Sequence, residues 1–338
     1  MAQASPSDTI TNVAAESTNS NLPAWMQKMA GSSAELGSYV GSGSFYSSGY
    51  ADPYVSTSLY LRPNYDLGTR YKLVASARFY FEEEFTKPDN VVGRRFYPYD
   101  GWLSLAAKEL HAFAPAKLTL GGVVRLTLPI SYESRYAHLV TAVTVGPSLS
   151  GSITFGKNPA PERRFKLAFT AIAQFSKYIH ASDIRGDSPG DTSGCRGFVN
   201  AGAVPTAGSE GPTVAASDRC GGPVNASFGV RSAVIASLSR GKWSLGMTLL
   251  VDNTFLYDIP RDQYTAIPAV DRGREDITWG IIGVTYELTE HFAGNVGVSS
   301  QQPALDAESR NLRFPFFDFS GTNYNNFTQA FVSLTGTL

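Results

Sequence analysis

The chain has 338 residues, a formal net charge of -1, 17% charged residues and 43% hydrophobic ones. It contains no run of roughly eighteen or more apolar residues, which excludes a transmembrane helix, and its near-neutral charge argues against nucleic acid as a partner. Its average hydropathy is that of a water-soluble chain, but the same average arises when apolar and polar residues alternate.

Residues 1–21 are rich in Ser, Thr, Asn and Ala without pattern, which reads as a disordered tail. Leu22, Trp25, Met26 and Met29 then have helical spacing, and Pro23 suits a first turn, so a short helix is expected near 22–30 within a tail that ends at 35. A weak Gly/Ser/Tyr strand is expected over 36–47 and a clearer one over Tyr54–Asn64, with Val55, Thr57, Leu59 and Leu61 on one face and Arg62 on the other. Asp66-Leu67-Gly68 is a tight turn. Over Thr69–Phe85, Tyr71, Leu73, Ala75, Ala77, Phe79 and Phe81 alternate with Arg70, Lys72, Ser76, Arg78, Tyr80, Glu82 and Glu84. The next strand, Tyr99–Phe113, changes parity between Leu105 and Leu110, and a bulge near Ala106-Ala107 reconciles the two halves.

Lys117–Phe155 carries the plainest signal. Leu118, Leu120, Val124, Leu126 and Leu128 share one face, and Thr119, Gly121, Val123, Arg125 and Thr127 the other. After Glu133-Ser134-Arg135, Leu139, Thr141, Val143, Val145, Leu149, Ile153 and Phe155 continue the apolar face. Such alternation marks strands with one apolar side, and these are longer than the about 5–6 residues usual in soluble sheets. A tilted strand crossing a bilayer needs about 9–11 residues. The pattern recurs over Arg164–His180, Asn225–Ser239, Trp243–Tyr257, Asp276–Leu288, His291–Ser300 and Phe327–Leu338. Connections are short after 65, 113, 238 and 288, and longer at 86–98, 181–224, 258–275 and 301–325. Only helices and closed barrels satisfy their backbone within lipid, so the expectation is an all-β, up-and-down antiparallel transmembrane barrel over 36–338. Twelve strands are expected, with ten or fourteen as alternatives; both termini lie on the side of the short turns.

In this pattern the chain resembles the bacterial outer-membrane β-barrel class over about residues 36–338. The last strand adds to the likeness, with Ala330, Val332, Leu334, Gly336 and Leu338 alternating to the terminus, although barrel-assembly signals usually end in Phe or Trp. The resemblance implies integral outer-membrane location, periplasmic termini and no cofactor. It implies as partners outer-membrane lipid and lipopolysaccharide, the barrel-assembly machinery, solutes in the lumen, and other envelope proteins. Met1 is followed by Ala-Gln-Ala without an apolar segment, so the chain is taken as a mature form with its export signal removed. In an oxidising compartment Cys195 and Cys220, both in the longest loop, are expected to form one disulfide.

Eight-stranded barrels are filled by side chains, while sixteen or more strands leave an aqueous channel, so in a twelve-stranded barrel the inward residues decide. Many are Ser, Thr, Gly and Ala, which favours a narrow pore. By parity Arg62, Arg70, Lys72, Arg78, Arg125, Lys166 and Arg231 point inward, as do Glu82, Glu84 and Asp252. Arg78, Arg125 and Arg231 fall at similar depth, and a ring of arginines favours anions. In the competing arrangement these arginines pair with Glu82, Glu84, Glu109 and Asp252 and close the lumen. Phe314, Phe316, Phe317 and Phe319 form a candidate loop recognition patch. His111, His138, His180 and His291 lack metal spacing, and Asp183, Asp187 and Asp191 lack a calcium-loop motif. The leading expectation is a channel for small solutes or ions, with anion preference in the sense of the arginine ring. The alternative is a non-conducting scaffold or translocon component of an envelope or export machine, and a surface hydrolase ranks last because no Ser is paired with a His.

Overall fold

A computed structural model of the chain describes residues 23–45, 54–68, 70–86, 96–156, 164–182, 225–257, 274–303 and 327–338. The alternation becomes strand almost throughout. The strand segments are β1 (Ser33–Gly41), β2 (Val55–Arg62), β3 (Asn64–Asp66), β4 (Leu73–Glu84), β5 (Phe96–Pro98), β6 (Gly101–Phe113) and β7 (Leu118–Leu128). They continue with β8 (Leu139–Phe155), β9 (Phe165–His180), β10 (Ala226–Arg240), β11 (Trp243–Leu256), β12 (Arg274–Glu287), β13 (Phe292–Pro303) and β14 (Phe327–Thr337). β3 prolongs β2 beyond Pro63, and β5 precedes β6 across Tyr99-Asp100, both pairing with β4, so the fourteen segments make twelve barrel strands. Each strand pairs antiparallel with its sequence neighbour, and β1 pairs with both β2 and β14. The sheet therefore closes on itself, which removes the unpaired edges that hydrocarbon does not tolerate.

The register carries the two faces around the whole wall. Leu36 pairs with Leu334 and Leu59, Val124 with Leu105 and Val145, and Val284 with Val296, all pointing outward. Val124, Val296 and Val332 are 53%, 59% and 58% exposed, which suits side chains whose solvent is lipid. Aromatic pairs rim this belt at both ends, where amphipathic rings settle at a membrane interface. At the end holding the termini, Phe155 stacks on Phe165 at 5.7 Å and Trp243 lies 4.5 Å from Tyr286. At the loop end, Phe81 stacks on Phe96 at 6.0 Å, and Phe228 on Phe175 and Phe255 at 5.9 and 4.4 Å.

Inside, the wall between β12 and β1 is packed. Thr285 Oγ1 donates to Asn295 Oδ1 at 2.7 Å, and Asn295 Nδ2 donates to Ser333 Oγ and Thr335 Oγ1, both at 3.1 Å. Above this seam, Tyr39, Ile281 and Phe331 form a buried apolar cluster. Phe331 lies flat because Gly297 leaves room for it: a Cβ there would stand 2.6 Å from Phe331 Cζ. A ring covering a glycine on the neighbouring strand keeps that strand packed despite its missing side chain.

Four details differ from the sequence reading. β1 begins at Ser33 rather than 36, which brings Glu35 from the tail into the barrel wall. The irregularity in β6 lies between Ala107 and His111, just beyond the expected Ala106-Ala107. Arg70 is exposed in the turn before β4, because β4 starts at Leu73 and Lys72 takes a left-handed conformation (φ 50°). The connection at 133–136 is a helical turn, α2 (Tyr132–Tyr136), whose Ser131 cap accepts from the Ser134 amide at 3.0 Å while Asp100 holds the Ser131 amide at 2.9 Å. The short helix expected near 22–30 is α1 (Ala24–Lys28).

Candidate functional site

Arg62 and Tyr60 lie two residues apart on β2 and leave the same inner face. The Arg62 guanidinium lies 4.5 Å from the Tyr60 ring centroid and donates to Glu35 Oε2 on β1 at 3.0 Å. Tyr60 extends the chain of contacts to β4, where Arg78 Nη1 donates to its hydroxyl at 3.3 Å. Arg78 pairs in register with Trp102 of β6, and its guanidinium lies 5.4 Å from that ring centroid. Arg125 of β7 approaches the same ring at 4.0 Å. The result is an unbroken ladder, Glu35, Arg62, Tyr60, Arg78, Trp102 and Arg125, across five adjacent inner faces. Guanidinium stacking on an aromatic face contributes about 0.5–2 kcal/mol per contact, and it holds each cation flat against the wall instead of across the lumen. Three of the six members of this ladder are guanidinium groups.

The opposite side is different. Arg231 of β10 donates through Nε at 3.1 Å and Nη2 at 2.5 Å to Asp252 Oδ2 of β11, so this arginine is neutralised. Below the pair, Ala233, Leu250 and Trp279 form a second buried apolar cluster. Arg78 and Arg125 are therefore brought to the one Trp102 ring, while Arg231, expected at the same depth, stands apart from them on the other side.

The acidic residues serve the wall. Glu82 is buried and accepts from Tyr99 at 2.8 Å and Tyr80 at 3.5 Å. Glu84 accepts from Thr86 at 2.8 Å. Glu109 pairs with Lys72 at 2.7 Å in the turn region, and Lys166 is exposed at the start of β9. Arg231 and Asp252 face each other in register on neighbouring strands, so their pair lies along the wall and not across the lumen, and Arg62 likewise uses Glu35 of the adjacent β1. Arg70 rests 5.9 Å from the Tyr71 ring outside the strands.

Water has unequal access to the two sides. Lumen-facing Tyr39, Ser56, Ser58, Tyr60, Trp279 and Phe331 are buried, whereas Ser76, Arg78, Trp102, Ser104, Arg125 and Ser148 keep partial exposure. The partly exposed inner positions thus lie on β4, β6, β7 and β8 and include small hydroxyl side chains with Arg78 and Arg125, while Tyr80 and Glu82 of β4, Thr144 of β8 and Gln174 of β9 are buried among them.

Cys195, Cys220, Phe314, Phe316, Phe317, Phe319, Asp183, Asp187 and Asp191 lie outside the described residues. The four histidines are separated: His111 packs on Phe113 at 4.6 Å, His138 takes a turn conformation, and His180 and His291 bond the carbonyls of Ala137 and Thr337. No group of three His, Cys, Asp or Glu side chains comes together among the described residues. Glu35, Tyr60 and Trp102 were missed by sequence reasoning. The available signal was parity: Tyr60 and Arg62 share a face, and an inward Trp beside inward arginines is a natural stacking partner.

No protein-family model matches the chain, and no curated protein matches it. Among solved structures, an outer membrane channel from Pseudomonas putida F1 aligns with a TM-score of 0.47 and 12% identity, covering 94% of this chain and 97% of that one. The NanC porin aligns at 0.42 with 8% identity over 91% and 100% of the two chains. The KdgM porin aligns at 0.37 with 6% identity over 90% and 99%. These are likenesses of outline at low identity, so the solute must be argued from the lumen of this chain.

Proposed function

We propose that this protein is an outer-membrane channel for small solutes that prefers anions, with its termini and short turns on the periplasmic side. The observation that carries the reading is the arc of Arg62, Arg78 and Arg125, fixed by Tyr60 and Trp102 beside the partly exposed, hydroxyl-lined wall. Rings of one charge sign set the selectivity of a pore, and this arc gathers three guanidinium groups on neighbouring strands. Long loops at one end and short turns at the other support the orientation. The test is planar-bilayer recording of the folded protein, with reversal potential measured under a salt gradient. Steady openings with anion preference are expected, and Arg125→Glu should reduce that preference several-fold. A cation preference that Arg125→Glu leaves unchanged rejects the arc as filter.

The packed wall from β12 to β2 gives a second reading, a non-conducting scaffold or translocon component. It predicts silence from a barrel whose folding is proven by heat-shifted gel mobility, together with envelope proteins that co-purify.

A further inference from the structure

The outer wall is not uniformly convex. On β4 the outward positions between Leu73 and Phe79 are Ala75 and Ala77, which rise no higher than a methyl group. Their register partners are tall: Leu105 faces Ala75 and Leu103 faces Ala77 on β6, and Tyr65 faces Ala75 on β3. The outcome is an apolar groove of about 560 Å³, running from Met29 and Tyr65 near the termini, over Ala75 and Ala77, to Leu126 and Val143.

The terminal end of the groove is built by α1. Ser32 and Asn64 bond reciprocally, Ser32 Oγ to Asn64 O at 3.1 Å and Asn64 N to Ser32 Oγ at 2.9 Å, and the Gly31 amide donates to the Leu338 carbonyl at 3.1 Å. These bonds hold the residues after α1 against the barrel rim. They leave Met29 at the groove, Lys28 Nζ 5.7 Å from the Tyr65 ring centroid, and Trp25 58% exposed. A Trp, a Tyr and a Lys together at the end of an apolar belt are interfacial anchors, placed where lipid headgroups lie.

We infer that this groove is a specific site for one phospholipid of the terminal-side leaflet, its acyl chain lying over Ala75 and Ala77 and its phosphate against Lys28. The groove opens within the lipid-facing belt, and a cation stands at its headgroup end, so both parts of a phospholipid are matched. The inference requires that the barrel span a bilayer and does not depend on conduction; its failure would leave the channel reading intact.

The experiment is native mass spectrometry of the full-length protein after reconstitution into phosphatidylethanolamine/phosphatidylglycerol vesicles and extraction in mild detergent. Wild type should retain one phospholipid as its dominant bound state. Ala75→Phe/Ala77→Phe should lower that occupancy about tenfold, while Ala171→Phe/Ala173→Phe, an equal change on the outer face of β9, should not. If the Ala75→Phe/Ala77→Phe variant gives no heat-shifted band, Lys28→Glu decides, since Lys28 lies outside the strands; it should lower occupancy several-fold and Lys28→Arg should restore it. Equal retention in all variants means shell lipid only and overturns the inference. So does a dimer whose formation protects the groove and excludes the lipid.

Discussion

Arg62 and Glu35 are the most enclosed charged members of the ladder, with side chains 9% and 2% exposed. Removing one partner of a buried ion pair destabilises by about 3–5 kcal/mol, mainly through the charge left behind. Arg62→Ala, which deprives Glu35 of its guanidinium, should therefore lower stability by about that amount in urea unfolding of the micelle-refolded protein. Arg62→Ala/Glu35→Ala should recover part of the loss. Equal losses in the single and double variants would show that the pair is held by its surroundings and not by its charge. The two arginines on Trp102 keep partial exposure, and their substitution should tell on ion selectivity more than on stability.

At the level of the strand, adjacent residues meet different solvents. Val124 of β7 points to lipid and Val123 to the lumen. Arginine on the lipid face near the midplane of a barrel costs about 2–4 kcal/mol. Val124→Arg should show that loss in refolding from urea into vesicles, and Val123→Arg should show little of it; similar losses for both would mean that the parity is misassigned. This parity was legible in the sequence because a buried belt on one side and water on the other impose a strict period of two. Boundaries were less legible. β1 carries Gly37 and Gly41 and alternates weakly, so its start, and Glu35 with it, fell into the tail. Arg70 continues the alternation of β4 by residue type, but Lys72 turns the backbone before the ladder begins, which no periodicity reveals. The partners of the arginines are set by registers across strands distant in sequence, such as Arg78 opposite Trp102, and a single chain read in order does not display them.

For the whole molecule, closure is the condition of stability. β14 bonds β13 on one side and β1 on the other, and it is the last element of the chain. Deleting 327–338 would leave two unpaired edges in hydrocarbon, where each unsatisfied backbone group costs several kcal/mol. The truncated chain should give no heat-shifted band on refolding; a shifted band would mean that β1 and β13 can close an eleven-stranded barrel without it.

The ladder also has a kinetic consequence. A guanidinium on a free four-bond stem wags, and each excursion changes the field felt by a passing ion. Here Arg62 and Arg78 share Tyr60, and Arg78 and Arg125 share Trp102, so the motion of each is confined by its neighbours. The barrier that an ion crosses should then vary little from one passage to the next, and the open-channel current should be quiet. Trp102→Ala, which removes the ring that Arg78 and Arg125 share, should be heard as added current noise at nearly unchanged mean conductance.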